Sequence, residues 1–344
     1  MILTRTPYRV SLFGGGTDYP EWFEKNEGGG LVLGFAINRY CYVAVKHAPP
    51  GMGAHLRVVY SKVEDHALFE SIEHPAVRGV LQHRTDRRAL EIHHLGDLPA
   101  MGGLGASSAF VVGLLHSLNL LQDEVGQAIY VERNPQLWLA RQAIYVERNV
   151  IKEAVGWQDQ ILTALGGLRL IQFHQSSTFT AEHLRPSQIR LKELEESLVL
   201  VHTGVSRHAH LMAAKVIQAI TESEKTRRQL VFLRQLAADA AEVLSSPSTQ
   251  LSELGLMLHA AWEAKKMTHQ EITMPEIDAL YARGIHLGAI GGKLLGAGGG
   301  GFMLFFVPPK LMAQFQQQIG APCIRFKLDA EGTVQINTKG RTLT

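Results

Sequence analysis

Along the first half of the chain, apolar and polar positions alternate and cluster in a way that separates strands from helices. Residues 2–12 alternate loosely and predict a strand. Residues 40–47, rich in Val and Tyr, predict a second, and residues 57–60 and 90–94 are shorter candidates. Residues 109–121 carry the apolar run of a helix, and Pro135 opens another that reaches about residue 154, where Gly156 stops it. Residues 158–165 predict a short helix closed by Gly166 and Gly167, and residues 168–173 a strand. Polar and charged residues then dominate from 176 to 196.

Beyond that stretch the pattern changes. Residues 198–202 (LVLVH) form an apolar run short enough for a buried strand. Long helical segments follow at 209–241, with a break inside, and at 251–266 and 275–283. Residues 288–301 are glycine-rich, and residues 302–307 (FMLFFV) predict a buried strand. The pattern predicts an α+β chain of two domains, residues 1–180 and 195–344. The first carries a mixed sheet and the second packs helices on an antiparallel sheet, with the active site in the cleft between them.

Composition narrows the function classes. The 344 residues are 46% hydrophobic and 19% charged, with a net charge of +2, so no bulk field favours nucleic acid or a membrane surface. Arg84, Arg87 and Arg88 lie in a polar stretch and read as a solvated face. Cys41 and Cys323 have no metal-site spacing and indicate no disulfide framework. The first ten residues lack the apolar run of a signal peptide, and no segment approaches 18 uninterrupted apolar residues. The expectation is a soluble, cytoplasmic protein; its oligomeric state is open, with a homodimer as one option. The octapeptide QAIYVERN occurs at 127–134 and again at 142–149, too closely spaced for a solenoid repeat.

The chemistry concentrates in glycine-rich loops. Residues 99–109 (PAMGGLGASSA) stand just before a helix. Backbone N–H groups of Gly102, Gly103, Leu104, Gly105, Ala106, Ser107 and Ser108 can approach phosphate oxygens there, and the helix N-terminus adds unpaired donors. A flexible loop with a capping serine would look the same in isolation. A second loop, Gly14 to Asp18, follows the first strand, and a third, 296–301 (GAGGGG), precedes a buried strand. The G-x-G-x-x-G at Gly296, Gly298 and Gly301 leads into a strand rather than a helix, which argues against dinucleotide binding. Gly292-Lys293 is followed by Leu294, so the P-loop pattern is absent.

Residues 7–20 (PYRVSLFGGGTDYP), 99–109 and 295–302 resemble, in order and spacing, the three motifs of the GHMP kinases. The resemblance covers nearly the whole chain. It implies an N-terminal ribosomal-protein-S5-like α/β domain, a C-terminal ferredoxin-like domain, and transfer of phosphate from ATP, with Mg²⁺, to a small-molecule alcohol. Gly156 to Gln160 (GWQDQ), Thr203 to Arg207 (TGVSR), and Trp262 with Lys265 and Lys266 resemble the branch containing D-glycero-D-manno-heptose 7-phosphate kinase. Gly15 and Gly16 depart from the galactokinase form of the first motif.

The resemblance implies roles residue by residue. Ser107 and Glu147 would hold Mg²⁺; read alone, Glu147 is a surface helical glutamate. Asp159 would accept or orient the acceptor proton, and Arg9 would stand near the acceptor; read alone, they are a helix N-terminal acid and a strand-edge arginine. Gly15, Gly16, Thr17, Asp18, Gly299 and Gly300 would meet the sugar, and Arg207 would take a second phosphate. His208 and His210 read as surface residues, and Glu132, in the first octapeptide copy, as a surface acid. Three readings follow: a heptose 7-phosphate kinase acting at the anomeric hydroxyl, a GHMP kinase for another sugar such as fucose or galactose, and a catalytically silent ligand-binding relative.

Overall fold

The computed structural model describes residues 1–48, 55–85, 88–99, 102–123, 134–205 and 209–336. The strands are β1 (Ile2–Phe13), β2 (Gly30–His47), β3 (Leu56–Val59), β4 (Val63–His66), β5 (Leu90–Gly96), β6 (Leu168–His174), β7 (Thr178–His183), β8 (Leu198–His202), β9 (Gly291–Leu294), β10 (Phe302–Phe306), β11 (Cys323–Ile324) and β12 (Val334–Gln335). The helices are α1 (Pro20–Phe23), α2 (Pro75–Arg84), α3 (Ala106–Asp123), α4 (Pro135–Tyr145), α5 (Gln158–Leu165), α6 (Gln188–Ser197), α7 (Ala209–Glu222), α8 (Glu224–Ser245), α9 (Glu253–Lys266), α10 (Pro275–His286) and α11 (Pro309–Gln318).

The strands form two sheets. The first runs β12-β1-β2-β5-β3-β4, with β6 and β7 joined along the other half of β2. β2 is the spine: its C-terminal half pairs with β5 (Cys41 opposite Gly96) and its N-terminal half with β6 (Gly30 opposite Phe173). The sequence pattern predicts only the C-terminal half of β2. Residues 30–37 are buried throughout, so they show an apolar run without the period-2 alternation that marks a half-exposed strand.

Helix α3 packs across β1 and β2. A Cβ at Gly113 would stand 2.9 Å from the Thr6 hydroxyl, so the helix axis comes close to the sheet. Thr4 uses that closeness: its hydroxyl reaches Gly113 O at 3.1 Å and Ser117 Oγ at 2.8 Å, satisfying buried polar groups that would otherwise destabilise the core.

The second sheet is antiparallel, in the order β11-β8-β10-β9. In its core Tyr281 stacks on Phe305 (5.9 Å between centroids), and Phe315 packs tilted against Phe305 (5.4 Å). β9 lies inside the glycine-rich segment 288–301, where the sequence pattern predicts no strand. Gly291 and Gly292 join the sheet because nearby groups leave no room for side chains: a Cβ at Gly291 would sit 1.9 Å from Gly255 O. The glycine-rich loop proper is the β9–β10 connection.

Three further segments differ from the sequence reading. The polar stretch 176–196 holds β7, which extends the first sheet, and α6, capped by Ser187 Oγ. The C-terminal strand β12 returns to pair with β1. The helix opened by Pro135 leaves the α-helical pattern at Tyr145 and continues as one π turn, Val146–Val150, before an irregular segment in which Lys152 takes φ 63°. The apolar periodicity continues through this turn and so gives no warning of it.

The two sheets meet where the phosphate-type loop touches the β9–β10 hairpin. Phe302 N–H donates to Gly102 O at 3.0 Å, and a Cβ at Gly301 would lie 2.5 Å from that same carbonyl. Gly301 also sits at φ 100°, where L-residues are strained. Gly301→Ala is therefore expected to destabilise the fold by about 1–3 kcal/mol through strain alone, read as a lower urea midpoint. An unchanged midpoint would show that the contact is not a packing constraint.

Candidate active site

A cavity of about 280 Å³ opens along this seam. Gly102, Gly103, Gly105, Ala106, Ser107 and Ser108 line one side, and Gly15, Gly16 and Asp18 line another. Gly296 and Ala297 come from the hairpin, and Ala213, Val216, Leu230 and Leu233 give an apolar wall from α7 and α8. All three glycine-rich loops thus line one space at the N-terminus of α3. Unpaired backbone N–H groups there suit a phosphate chain.

Arg9 and Asp159 form the centre. Arg9 Nε donates to Asp159 Oδ1 at 2.7 Å and its terminal nitrogen to Oδ2 at 2.6 Å, a two-point fork. The arginine is also held by Gly103 O (2.5 Å) and, through its own N–H, Leu104 O (3.0 Å). Its side chain is 4% exposed and that of Asp159 27%, so the acid faces the cavity while the base stands behind it. α5 begins at Gln158, which sets Asp159 in its first turn, where the helix dipole favours a carboxylate.

Asp18 is buried beside this pair. Its carboxylate accepts from Gly16 N (3.0 Å) and Gln158 N (3.3 Å). Burial, and then the charge of Asp159, push its pKa above the usual carboxylate value. A Cβ at Gly156 would overlap Asp18 Oδ2 at 1.9 Å, so this glycine makes room for the acid. In the sequence it reads as a helix stop and as the first residue of the GWQDQ motif, neither of which shows this role.

Glu147 lies in the π turn with no exposed surface. Its Oε2 accepts from Ser108 Oγ at 3.0 Å and from Gln160 Nε2, and its Oε1 has no hydrogen-bond partner. The structure brings Glu147 to Ser108; Ser107 stands exposed on the cavity wall. Burial raises the Glu147 pKa to about 8.

The remaining predicted residues divide. Gly15 and Gly16 line the cavity. Thr17 does not: it is fully buried, and its hydroxyl lies 2.8 Å from Gly14 O and 3.0 Å from Leu31 O, which locks the turn. Leu104 is buried behind the loop. Gly299 donates its N–H to Ile272 O at 3.0 Å, and neither it nor Gly300 is among the cavity-lining residues. Arg207, His208 and Glu132 lie outside the described residues, as does the side chain of His210. Two cavity-lining residues, Lys265 and Lys293, have no role in the sequence reading. Lys265 is noted there only within a motif, and Lys293 only in a failed P-loop match.

A glycine-rich loop at a helix N-terminus, with an arginine-held carboxylate beside it on the same cavity, has the parts of a phosphotransferase that acts on a hydroxyl. Residues 72–167 match the family model described as "GHMP kinases N terminal domain", and residues 239–325 match "GHMP kinases C terminal". The chain belongs to the GHMP kinases and is a phosphotransferase. That family uses ATP as phosphate donor, generally with Mg²⁺.

Among its relatives is a D-glycero-alpha-D-manno-heptose 7-phosphate kinase of Campylobacter jejuni, 26% identical over 90% of both chains. A galactokinase of Pyrococcus furiosus is 24% identical over 89% of both. A crystal structure of a D-glycero-D-manno-heptose 1-phosphate kinase from Bacteroides thetaiotaomicron shares the fold, with TM-score 0.74 and 21% identity, covering 99% of this chain and all of that one.

The buried Glu147 makes stability depend on pH. Its folded pKa of about 8 lies above the ordinary 4.5, so the protonated form favours the folded chain. Stability from this group is complete below about 4.5 and falls as pH rises toward about 8. Without added metal, Glu147→Gln should match the wild type in urea unfolding at pH 5 and exceed it at pH 8. The same difference at both pH values would show that the carboxyl is not held protonated by burial.

Proposed function

We propose that this chain is an ATP-dependent kinase for the anomeric hydroxyl of D-glycero-D-manno-heptose 7-phosphate. The product would be the 1,7-bisphosphate, used in making nucleotide-activated heptose. The observation that carries the kinase chemistry is the Arg9–Asp159 fork, held against the phosphate loop through Gly103 O and lining the same cavity. The relative from Campylobacter jejuni supports the choice of acceptor.

In this reading the N–H groups of residues 102–108 hold the phosphates of ATP at the α3 N-terminus. Asp159 takes a hydrogen bond from the acceptor hydroxyl and accepts its proton as the oxygen bonds to the γ-phosphorus and the bond to the β,γ-bridging oxygen breaks. Arg9 keeps Asp159 in place and offsets negative charge there. Asp18, with Gly15 and Gly16, meets sugar hydroxyls, and Arg207 takes the far phosphate.

Ser107, Ser108 and Glu147 fit a magnesium ion. Glu147 Oε1 is a buried oxygen without a partner, beside the loop that would carry the phosphates. Among the described residues no group of three or more acids, histidines or cysteines could hold a metal alone, so phosphates and water would complete the shell. The ion would neutralise charge on the phosphates. Its binding asks Glu147 to give up the proton that burial favours.

A second reading, a deoxyhexose kinase, draws on the apolar wall of Val216, Leu230 and Leu233, which suits a sugar methyl group. Phosphorus NMR of the products from heptose 7-phosphate, fucose and galactose separates the readings. Asp159→Asn keeps the shape and removes the proton acceptor. Turnover on the best acceptor should fall by ~10²–10⁴-fold with ATP affinity little changed; a loss under ~10-fold would remove Asp159 as the base.

A further inference from the structure

Two cations of the cavity have no part in the chemistry above. Lys265, in the last turn of α9, donates to Leu294 O at 3.0 Å and Gly296 O at 2.6 Å. Lys293, in β9 and 5% exposed, donates to Ser11 O at 3.0 Å and Leu12 O at 3.1 Å. Both line the cavity. An ammonium has three N–H donors, so a charged Lys265 keeps one that is not committed to a carbonyl.

Neither lysine bonds a carboxylate among the described residues. Its neighbour Lys266 shows the ordinary arrangement, paired with Glu263 at 2.7 Å. The charged groups that act on Lys265 and Lys293 are each other, Arg9 and Asp18. Arg9 is committed to Asp159, and Asp18 already accepts from two backbone N–H groups. Burial and the neighbouring cations hold Lys265 down to about 7 and Lys293 well below the usual lysine value. A cation kept among carbonyls in low dielectric is destabilising until an anion arrives. Lys265 thus brings to the cavity a donor that no carboxylate among the described residues engages.

We propose that Lys265 is a specificity-determining residue, donating its free N–H to a phosphate monoester carried by the acceptor. This rests on reading the acceptor as a sugar phosphate. The phosphates of ATP already have the α3 N-terminus and the N–H groups of residues 102–108. The lysine pair instead spans from the end of β1, which leads into the Gly15–Asp18 loop, to Gly296 of the hairpin. Gly296 also packs against Gly103, so the γ-phosphate of ATP is the rival source of the anion, and the measurement must separate the two.

The test is calorimetric titration without ATP or metal, using D-glycero-D-manno-heptose 7-phosphate and the unphosphorylated heptose. ATP is titrated separately. Lys265→Met removes the charge and keeps the stem length. Lys265→Gln also keeps N–H donors for the two carbonyls and serves if the first variant melts early. The Kd for the heptose phosphate should rise by about 10-fold or more, the loss of one charge-assisted contact. Free heptose and ATP should change by less than about 2-fold, well below that contact. Lys265→Arg should recover part of the loss.

Equal weakening for the phosphorylated and free sugar overturns the inference, and so does weakening confined to ATP. A wild-type protein that prefers the phosphorylated sugar, with the preference intact in Lys265→Gln, overturns the inference and leaves the sugar-phosphate reading standing. A wild type that binds both sugars equally overturns both.

Discussion

The close backbone contact between Gly102–Gly103 and the β9–β10 hairpin is the constraint on which the site depends. A Cβ at Gly103 would lie 2.6 Å from Leu295 O, and one at Gly301 would lie 2.5 Å from Gly102 O. With side chains absent, the Phe302 N–H bond to Gly102 O can form at 3.0 Å and fixes the phosphate loop to the second sheet. Both sheets therefore position the same loop. Lys293 adds a second tie by reaching from β9 to two carbonyls at the end of β1. Relative movement of the sheets would reshape the cavity at both ends, because its walls come from each.

Charge in the cavity is arranged around that seam. Asp159 is partly exposed and bonded twice by one buried arginine, while Asp18 is buried and bonded only by neutral N–H groups. These environments separate the roles of two nearby acids. In the proposed reaction the arginine-held carboxylate acts on the acceptor proton and the buried one orients hydroxyls. Breaking the Arg9–Asp159 pair from either side would leave an uncompensated charge, which costs more than the pair contributes in net stability.

Much of this was legible in the sequence because its signals are local. Glycines before a serine pair and an apolar helix mark the phosphate loop wherever it folds, and Asp159 sits in a short motif. The parts that were not legible depend on neighbours distant in the chain. Residues 30–37 lose their alternation because both faces are covered. The strand at Gly291 and Gly292 is not predicted because glycine composition does not reveal that Gly255 and β10 crowd them into a sheet. The π turn that buries Glu147 keeps helical periodicity, so its inward turn shows only when Ser108 and Gln160 reach it. Thr17 looked like a sugar ligand beside Asp18, but Leu31 engages its hydroxyl from the next strand.

The apolar wall explains why these charges can act strongly. Val216, Leu230 and Leu233 contribute no hydrogen bonds, but with a bound acceptor they would exclude water from the side facing Asp159. The attraction between a phosphate and a nearby ammonium or helix N-terminus scales inversely with the local dielectric. The same exclusion keeps water from competing with the acceptor hydroxyl for the phosphoryl group. A site that transfers phosphate to a sugar must discriminate against water, which is smaller and far more abundant. In the proposed reading the discrimination falls to the fit between an acceptor and a cavity lined both by apolar residues of α7 and α8 and by Asp18, Lys265 and Lys293. An acceptor that satisfies both would close the cavity around Asp159, whereas water alone would leave the lysine wall without its anion.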